Sequence, residues 1–238
     1  MLGLGNTLSG GIVPAAATAG FADSYSLSFD GTNDYVDLDD AASGISGTEG
    51  TISLWFKPTS NYLFEIKVDT DNYIVAYFNS ASDYVACTRR AGGSNDSASS
   101  FSGDEADDGN WHHVAYTWSE SGDKFISYQD GSVATTRTSI ETWEGTPSIF
   151  TLGKHTGHWS GGYYTGNIND VSIWNSALSA VAIAAIYNSG TVTDLSEESG
   201  LIGYWKFEEN TGTTVADSSG DGNDGSLENG TAFDSDTP

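Results

Sequence analysis

Apolar and polar residues alternate one by one through much of this chain. Over residues 51–57, Ile52, Leu54 and Phe56 alternate with Ser53, Trp55 and Lys57. Over residues 62–68, Phe64, Ile66 and Val68 alternate with Glu65 and Lys67. Residues 73–78, 83–88, 111–118, 124–129 and 170–174 keep the same rhythm. Successive side chains of a strand point to opposite faces, so a period of two predicts half-buried antiparallel strands. Asp30-Gly31, Asp108-Gly109, Ser121-Gly122, Asp130-Gly131 and Gly161-Gly162 supply turns between them. Many short strands at roughly even spacing predict an all-β fold, a two-sheet antiparallel jelly-roll sandwich. One stretch reads as helix. Residues 179–187 place Val181, Ile183 and Ile186 among alanines, with Ser179 as N-cap and Asn188 to Gly190 as the stop. About two turns of helix cannot persist alone, so it must lean on the sandwich. Residues 91–110 and 191–199 read as loops.

Charge removes several classes of function. The 238 residues carry 33 acidic side chains and 8 basic ones, a formal net charge of −25. A nucleic-acid binder neutralises phosphates with Lys and Arg, which excludes nucleic acid as a partner. Anionic membrane surfaces are disfavoured for the same reason. No window approaches the roughly 18 consecutive apolar residues of a membrane span, so no membrane insertion is expected. The single cysteine, Cys87, offers no disulfide frame and reads as a buried strand residue. Seven Trp, twelve Tyr and ten Phe supply enough buriable surface to argue against disorder. Few lysines and many aspartates suit a saline setting or bound divalent cations. The charge is uneven. No charged side chain precedes Asp23, whereas Asp194 onward holds eleven acids and one base. Residues 1–22 lack a basic start and an uninterrupted apolar core, so they do not read as a secretory leader. They read instead as an anchoring arm, with Leu2, Leu4, Leu8, Ile12 and Val13 as its assembly contacts.

Three motifs carry a resemblance. The first is Leu27-Ser28-Phe29-Asp30-Gly31-Thr32-Asn33-Asp34-Tyr35-Val36. The second is Trp111-His112-His113-Val114-Ala115, followed by Tyr128-Gln129-Asp130-Gly131. The third runs from Gly166 through Asn169-Asp170-Val171 to Trp174 and on to Ala177-Leu178-Ser179. Over about residues 24–190 the chain resembles the laminin G-like members of the concanavalin A-like lectin/glucanase superfamily. That resemblance implies a two-sheet antiparallel jelly roll over residues 23–190, with 191–199 as an acidic connector. The family usually opens with a segment like residues 200–225 here. The chain therefore looks circularly permuted, with residues 200–238 completing the sandwich of their own or a neighbouring subunit. The layout also resembles small virion structural proteins of marine tailed phages. This implies a non-catalytic structural or adhesive module on a virion surface. Such a module would be a homo-oligomer or assembly subunit, docked to other virion proteins by its arm. The alternative is a calcium-assisted carbohydrate-binding module, extracellular or at a cell surface.

Candidate sites follow from chemistry. Retaining glucanases of this superfamily place two carboxylates on one strand, about 5–5.5 Å apart. The nearest arrangement is Glu65 and Asp69 with Lys67 between them, and Glu65 with Lys67 reads as an exposed face. Glu208 and Glu209 are adjacent and face opposite sides. Neither a nucleophile elbow nor a phosphate loop is present, so the chain reads as a non-enzyme. His112 and His113 read as packing residues. His155 and His158 would bind a transition metal only with a third ligand. Calcium is the best cofactor candidate, at Asp217, Asp221 and Asp224 or at Asp30, Asn33 and Asp34. Aspartate and asparagine beside glycine are equally the chemistry of tight turns. A glycan or partner contact would use His155, His158, Trp159, Tyr163 and Tyr164, with Trp143 as a second platform. The same rings would also suit a subunit contact or the core.

Overall fold

A computed structural model describes residues 22–81, 84–101, 106–157 and 162–238. In chain order the elements are β1 (Ser26–Asp30), β2 (Tyr35–Asp37), α1 (Asp39–Ala42), β3 (Glu49–Lys67), β4 (Tyr73–Asn79), β5 (Tyr84–Ala91) and β6 (Ser94–Ser100). Then come β7 (His112–Ser119), β8 (Lys124–Gln129), β9 (Ser132–Arg137), β10 (Ile149–Leu152), β11 (Thr165–Trp174) and α2 (Ala180–Tyr187). The chain ends with β12 (Leu201–Trp205), β13 (Thr214–Val215), β14 (Gly225–Glu228) and β15 (Ala232–Asp234). The expected anchor residues Leu2, Leu4, Leu8, Ile12 and Val13 lie outside the described residues.

β3 joins two alternating runs into one strand that serves both sheets. Its first half pairs with β7 and β11, and its second half pairs with β4 and β10. The corner is Asn61, at φ +72°, a left-handed conformation that asparagine tolerates better than most residues. Its side-chain amide donates to the Tyr163 carbonyl at 3.0 Å. A register shift between Tyr62 and Phe64 completes the bend. The first sheet runs β9-β8-β7-β3-β11, with β1 and β12 both flanking β11 and β15 beyond β1. The second sheet runs β6-β5-β4-β3-β10-β2-β14-β13. All neighbours are antiparallel, so the fold is the expected jelly roll. Residues 200–238 give strands to both sheets of the same chain, through β12 on β11 and β14 on β2.

The inward faces meet in one core. Ile52, Leu54 and Phe56 from one half of β3 pack with Phe64 and Ile66 from the other, and with Ile74, Phe78, Tyr116, Trp118 and Phe150. A second apolar cluster covers the outside of the first sheet. There Ala182, Ile183 and Ile186 of α2 lie with Ala115, Tyr128, Trp174 and Tyr204, and Leu195 of the connector joins them. Ser179 caps α2 by accepting the Ala182 N–H at 3.2 Å, and Asn188 ends it at φ +46°. The first sheet is therefore buried on both faces rather than half-buried. Trp55 is one consequence: it is buried and stacks on Tyr187 at 5.6 Å between ring centroids. Among the described residues, no helix covers the outer face of the second sheet.

Two expectations need correction. Residues 91–110, read as loop, contain β6, because their Gly, Ser and Asp content masks an edge strand. Its carbonyls are capped from β8 and β9. Ser127 and Thr135 hydroxyls donate to the Ser99 carbonyl, and Arg137 Nε donates to that of Ser97. The short helix α1 was not expected, since four residues carry no periodic signal; Asp39 fixes it by accepting the Phe150 N–H at 2.7 Å.

Candidate functional site

The open face is built by alternation and register together. Phe64 and Ile66 of β3 turn inward, which leaves Glu65 and Lys67 on the outer side. Cross-strand pairing then sets their neighbours. Lys67 lies opposite Tyr73, Tyr73 opposite Arg90, and Arg90 opposite Asn95, one row across four strands. In the next row Glu65 sits between Thr151 and Val75. In the third, Tyr62 lies opposite Tyr77. His155 reaches in from the loop after β10. Its ring centroid is 4.7 Å from that of Tyr62 and 6.2 Å from that of Tyr73. Tyr62 is 5.9 Å from Tyr77, and Tyr77 is 6.3 Å from Tyr84. Five rings thus form a continuous path over the sheet. A cavity of about 400 Å³ opens at one end, beside Lys67, Tyr73, Arg90, Asn95 and His155. A shallower one of about 240 Å³ lies at the other, beside Asn61, Tyr62, Tyr77 and Asn79.

Glu65 holds this surface together. Its side chain is fully buried, which corrects its reading as part of an exposed face. The strand does point it outward, but the loop after β10 folds over it. One carboxylate oxygen accepts the N–H and the hydroxyl of Thr156, both at 2.6 Å. The other lies 2.7 Å from His155 Nδ1. Burial pushes the Glu65 carboxyl up, but hydrogen bonds from His155 and Thr156 outweigh it and hold it below the usual range. Lys67 Nζ donates to the Thr156 hydroxyl at 3.2 Å. Burial raises the phenols of Tyr62, Tyr73 and Tyr77, the last to about 12. These rings therefore stay neutral, offering flat apolar faces and O–H donors.

Of the expected contact residues, His155 lies in this site. Tyr163 is half-buried beside it, bridged to Lys154, and His158 and Trp159 lie outside the described residues. Tyr164 is a correction: it is fully buried, packs edge-on against Phe29 at 5.7 Å, and donates to the Lys57 carbonyl. Trp143 is another. It is 5% exposed, lies 5.6 Å from the Arg89 guanidinium, and donates to the Gly145 carbonyl. Expected as a second contact platform, it packs instead into the sandwich over a buried cation.

Several of the residues expected to bind calcium are engaged within their own turns. Asp217 accepts the N–H groups of Tyr204, Ser219 and Asn223 and the Ser219 hydroxyl. Its lone pairs are committed to a turn. Asp224 accepts the Asp217 N–H, and Asp221 is exposed, with its own N–H on the Ser219 hydroxyl. Asp30 accepts the Thr32 N–H, and the Asn33 carbonyl accepts the Asn229 amide. Asp34 keeps one buried oxygen without a hydrogen-bond partner, while its other oxygen accepts the Asp30 N–H. Among the described residues no three Asp, Glu, His or Cys side chains converge as metal ligands would.

Sequence reasoning missed Tyr62, Tyr73, Tyr77, Tyr84 and Arg90 as a group. The alternation places Tyr73, Tyr77, Tyr84 and Arg90 on an outer face, but it gives Tyr62 the inward parity of Phe64; the register shift between those two turns Tyr62 outward, and the pairing brings the group together.

Known proteins share this frame. A solved structure of a putative carbohydrate-binding protein from Bacteroides ovatus has a TM-score of 0.61 at 16% identity, covering 89% of this chain and 60% of that one. A heptameric SAP-like pentraxin from Limulus polyphemus has a TM-score of 0.55 at 18% identity, covering 69% and 82%. The CBM40 of a Ruminococcus gnavus IT-sialidase, bound to α2,3 sialyllactose, has a TM-score of 0.53 at 16% identity, covering 75% and 100%. At these identities the likeness is one of fold. No curated protein sequence matches the chain. A family model for this superfamily matches residues 30–184, and the chain belongs to the concanavalin A-like lectin/glucanases superfamily.

Proposed function

We propose that the protein is a non-catalytic carbohydrate-binding module whose ligand lies on the outer face of the second sheet. The observation that carries this reading is the path of five rings flanked by two polar depressions, on the sheet face that no helix among the described residues covers. Sugars offer apolar C–H faces to neutral rings and hydroxyls to polar neighbours. The carbohydrate-binding proteins among the structural neighbours support it. A binding rather than hydrolytic role is supported by Glu65. Its cross-strand neighbours are Val75 and Thr151, neither of them a carboxylate, and one of its oxygens is held by Thr156. Presentation on a surface, a virion among them, agrees with the neutral arm and the acidic body.

A glycan array probed with the full chain tests the reading. At least one oligosaccharide should bind. Tyr62→Ala with Tyr77→Ala should weaken it at least about tenfold, or about 1.4 kcal/mol, with circular dichroism unchanged. Absence of binding, or binding indifferent to both substitutions, would overturn the proposal.

A further inference from the structure

The larger cavity brings two bases together, with Asp71 as the one carboxylate among its lining residues. With 33 acids against 8 bases, an anion meets repulsion over most of this molecule. Two of the eight bases, Lys67 and Arg90, line this one cavity, in one cross-strand row with Tyr73 between them. Each base already has one acidic neighbour: Lys67 Nζ lies 3.9 Å from the buried Glu65 carboxylate, whose shorter contacts are with Thr156 and His155. Arg90 is aimed largely by neutral acceptors. Its Nε donates to the Thr70 carbonyl at 3.1 Å and its Nη1 to Asn95 Oδ1 at 2.8 Å. That leaves the Asn95 amino group as a further donor. The one acidic contact is Asp71, at 3.5 Å from Nη2, on a side chain that is 62% exposed.

We propose that this cavity is a subsite for a carboxylate-bearing sugar. The inference rests on the glycan-binding reading and names its ligand class. The carboxylate bridges Lys67 and Arg90 through charge-assisted hydrogen bonds, and the ring of the same sugar lies against Tyr73 and His155. Asp71 competes with the ligand for Arg90. The carboxylate can come from a uronic acid within a chain or from a terminal sialic acid; both present the same planar anion.

Calorimetric titration of the full chain at low salt separates these cases. The probes are tetragalacturonate, its methyl ester, 3′-sialyllactose and lactose. One acidic sugar of the two pairs should bind at least about tenfold more tightly than its neutral counterpart, and that pair names the source. Added salt should shrink the ratio. Lys67→Met and Arg90→Gln should each drive the acid-to-neutral ratio toward one, and Asp71→Asn should raise it. Equal affinity for acidic and neutral sugars, or substitutions that leave the ratio unchanged, overturns the inference and leaves the glycan-binding reading standing. Failure of the chain to bind any sugar, here and on the array, overturns both.

Discussion

Arg89→Ala is expected to lower the unfolding free energy by about 3–5 kcal/mol, the range for breaking a buried ion pair. The side chain is fully buried, one residue from a half-buried arginine on the same strand. Its Nη2 lies 2.6 Å from Glu120 and its Nη1 3.2 Å from Asp96. It also donates to the carbonyls of Gly47 and Glu141, and the Trp143 ring lies against it. Burial lowers the guanidinium pKa, and Glu120 and Asp96 act to raise it again. Alanine would leave two poorly solvated carboxylates, two carbonyls without donors and a void under Trp143. Arg90→Ala is the matched control. That side chain faces the open side, so its loss should cost no more than about 1 kcal/mol. Urea midpoints for the two variants decide the matter, and a comparable loss for both would contradict the inward placement of Arg89.

Glu65→Ala is expected to weaken glycan binding at least about tenfold and to cost about 2 kcal/mol of stability, in the range for stranded polar partners. The carboxylate touches no ligand in this account; it positions the loop that carries His155 and shapes the cavity floor. Acidity gives a second readout. The folded carboxyl is held below the usual range, so its contribution is present above its ordinary value of 4.5 and is lost as pH falls toward the folded pKa. Glu65→Gln should therefore be less stable than the native chain at neutral pH. The gap in Tm should narrow as pH drops below about 4.5. A gap that widens on acidification would mean that Glu65 is not ion-paired as described.

Much of this architecture is written locally. Ile52, Leu54 and Phe56 face the core as their alternation predicts, and Ser179 and Asn188 bound the helix they were read to bound. Contacts made across long sequence distances were less legible. Glu65 alternates with core residues and so reads as exposed; a loop some 90 positions away hides it. Trp143 and Tyr164 sit in polar, glycine-rich surroundings that look like surface, yet their partners Arg89 and Phe29 come from distant strands. The ring path draws on positions 62, 73, 77, 84 and 155, which only the register of β3, β4 and β5 aligns. Which sheet face stays open depends in turn on where α2 packs, a tertiary fact that no window of sequence contains.

The placement of the ligand is tested most directly by nuclear magnetic resonance, with the isotope-labelled chain titrated with the tightest-binding glycan. The account predicts amide shifts on the second half of β3, on β4 and β5, and on the loop around His155, strongest near Lys67, Tyr73 and Arg90. Shifts centred on the turn around Asp217 and Asp224, with the outer face of the second sheet silent, would contradict it.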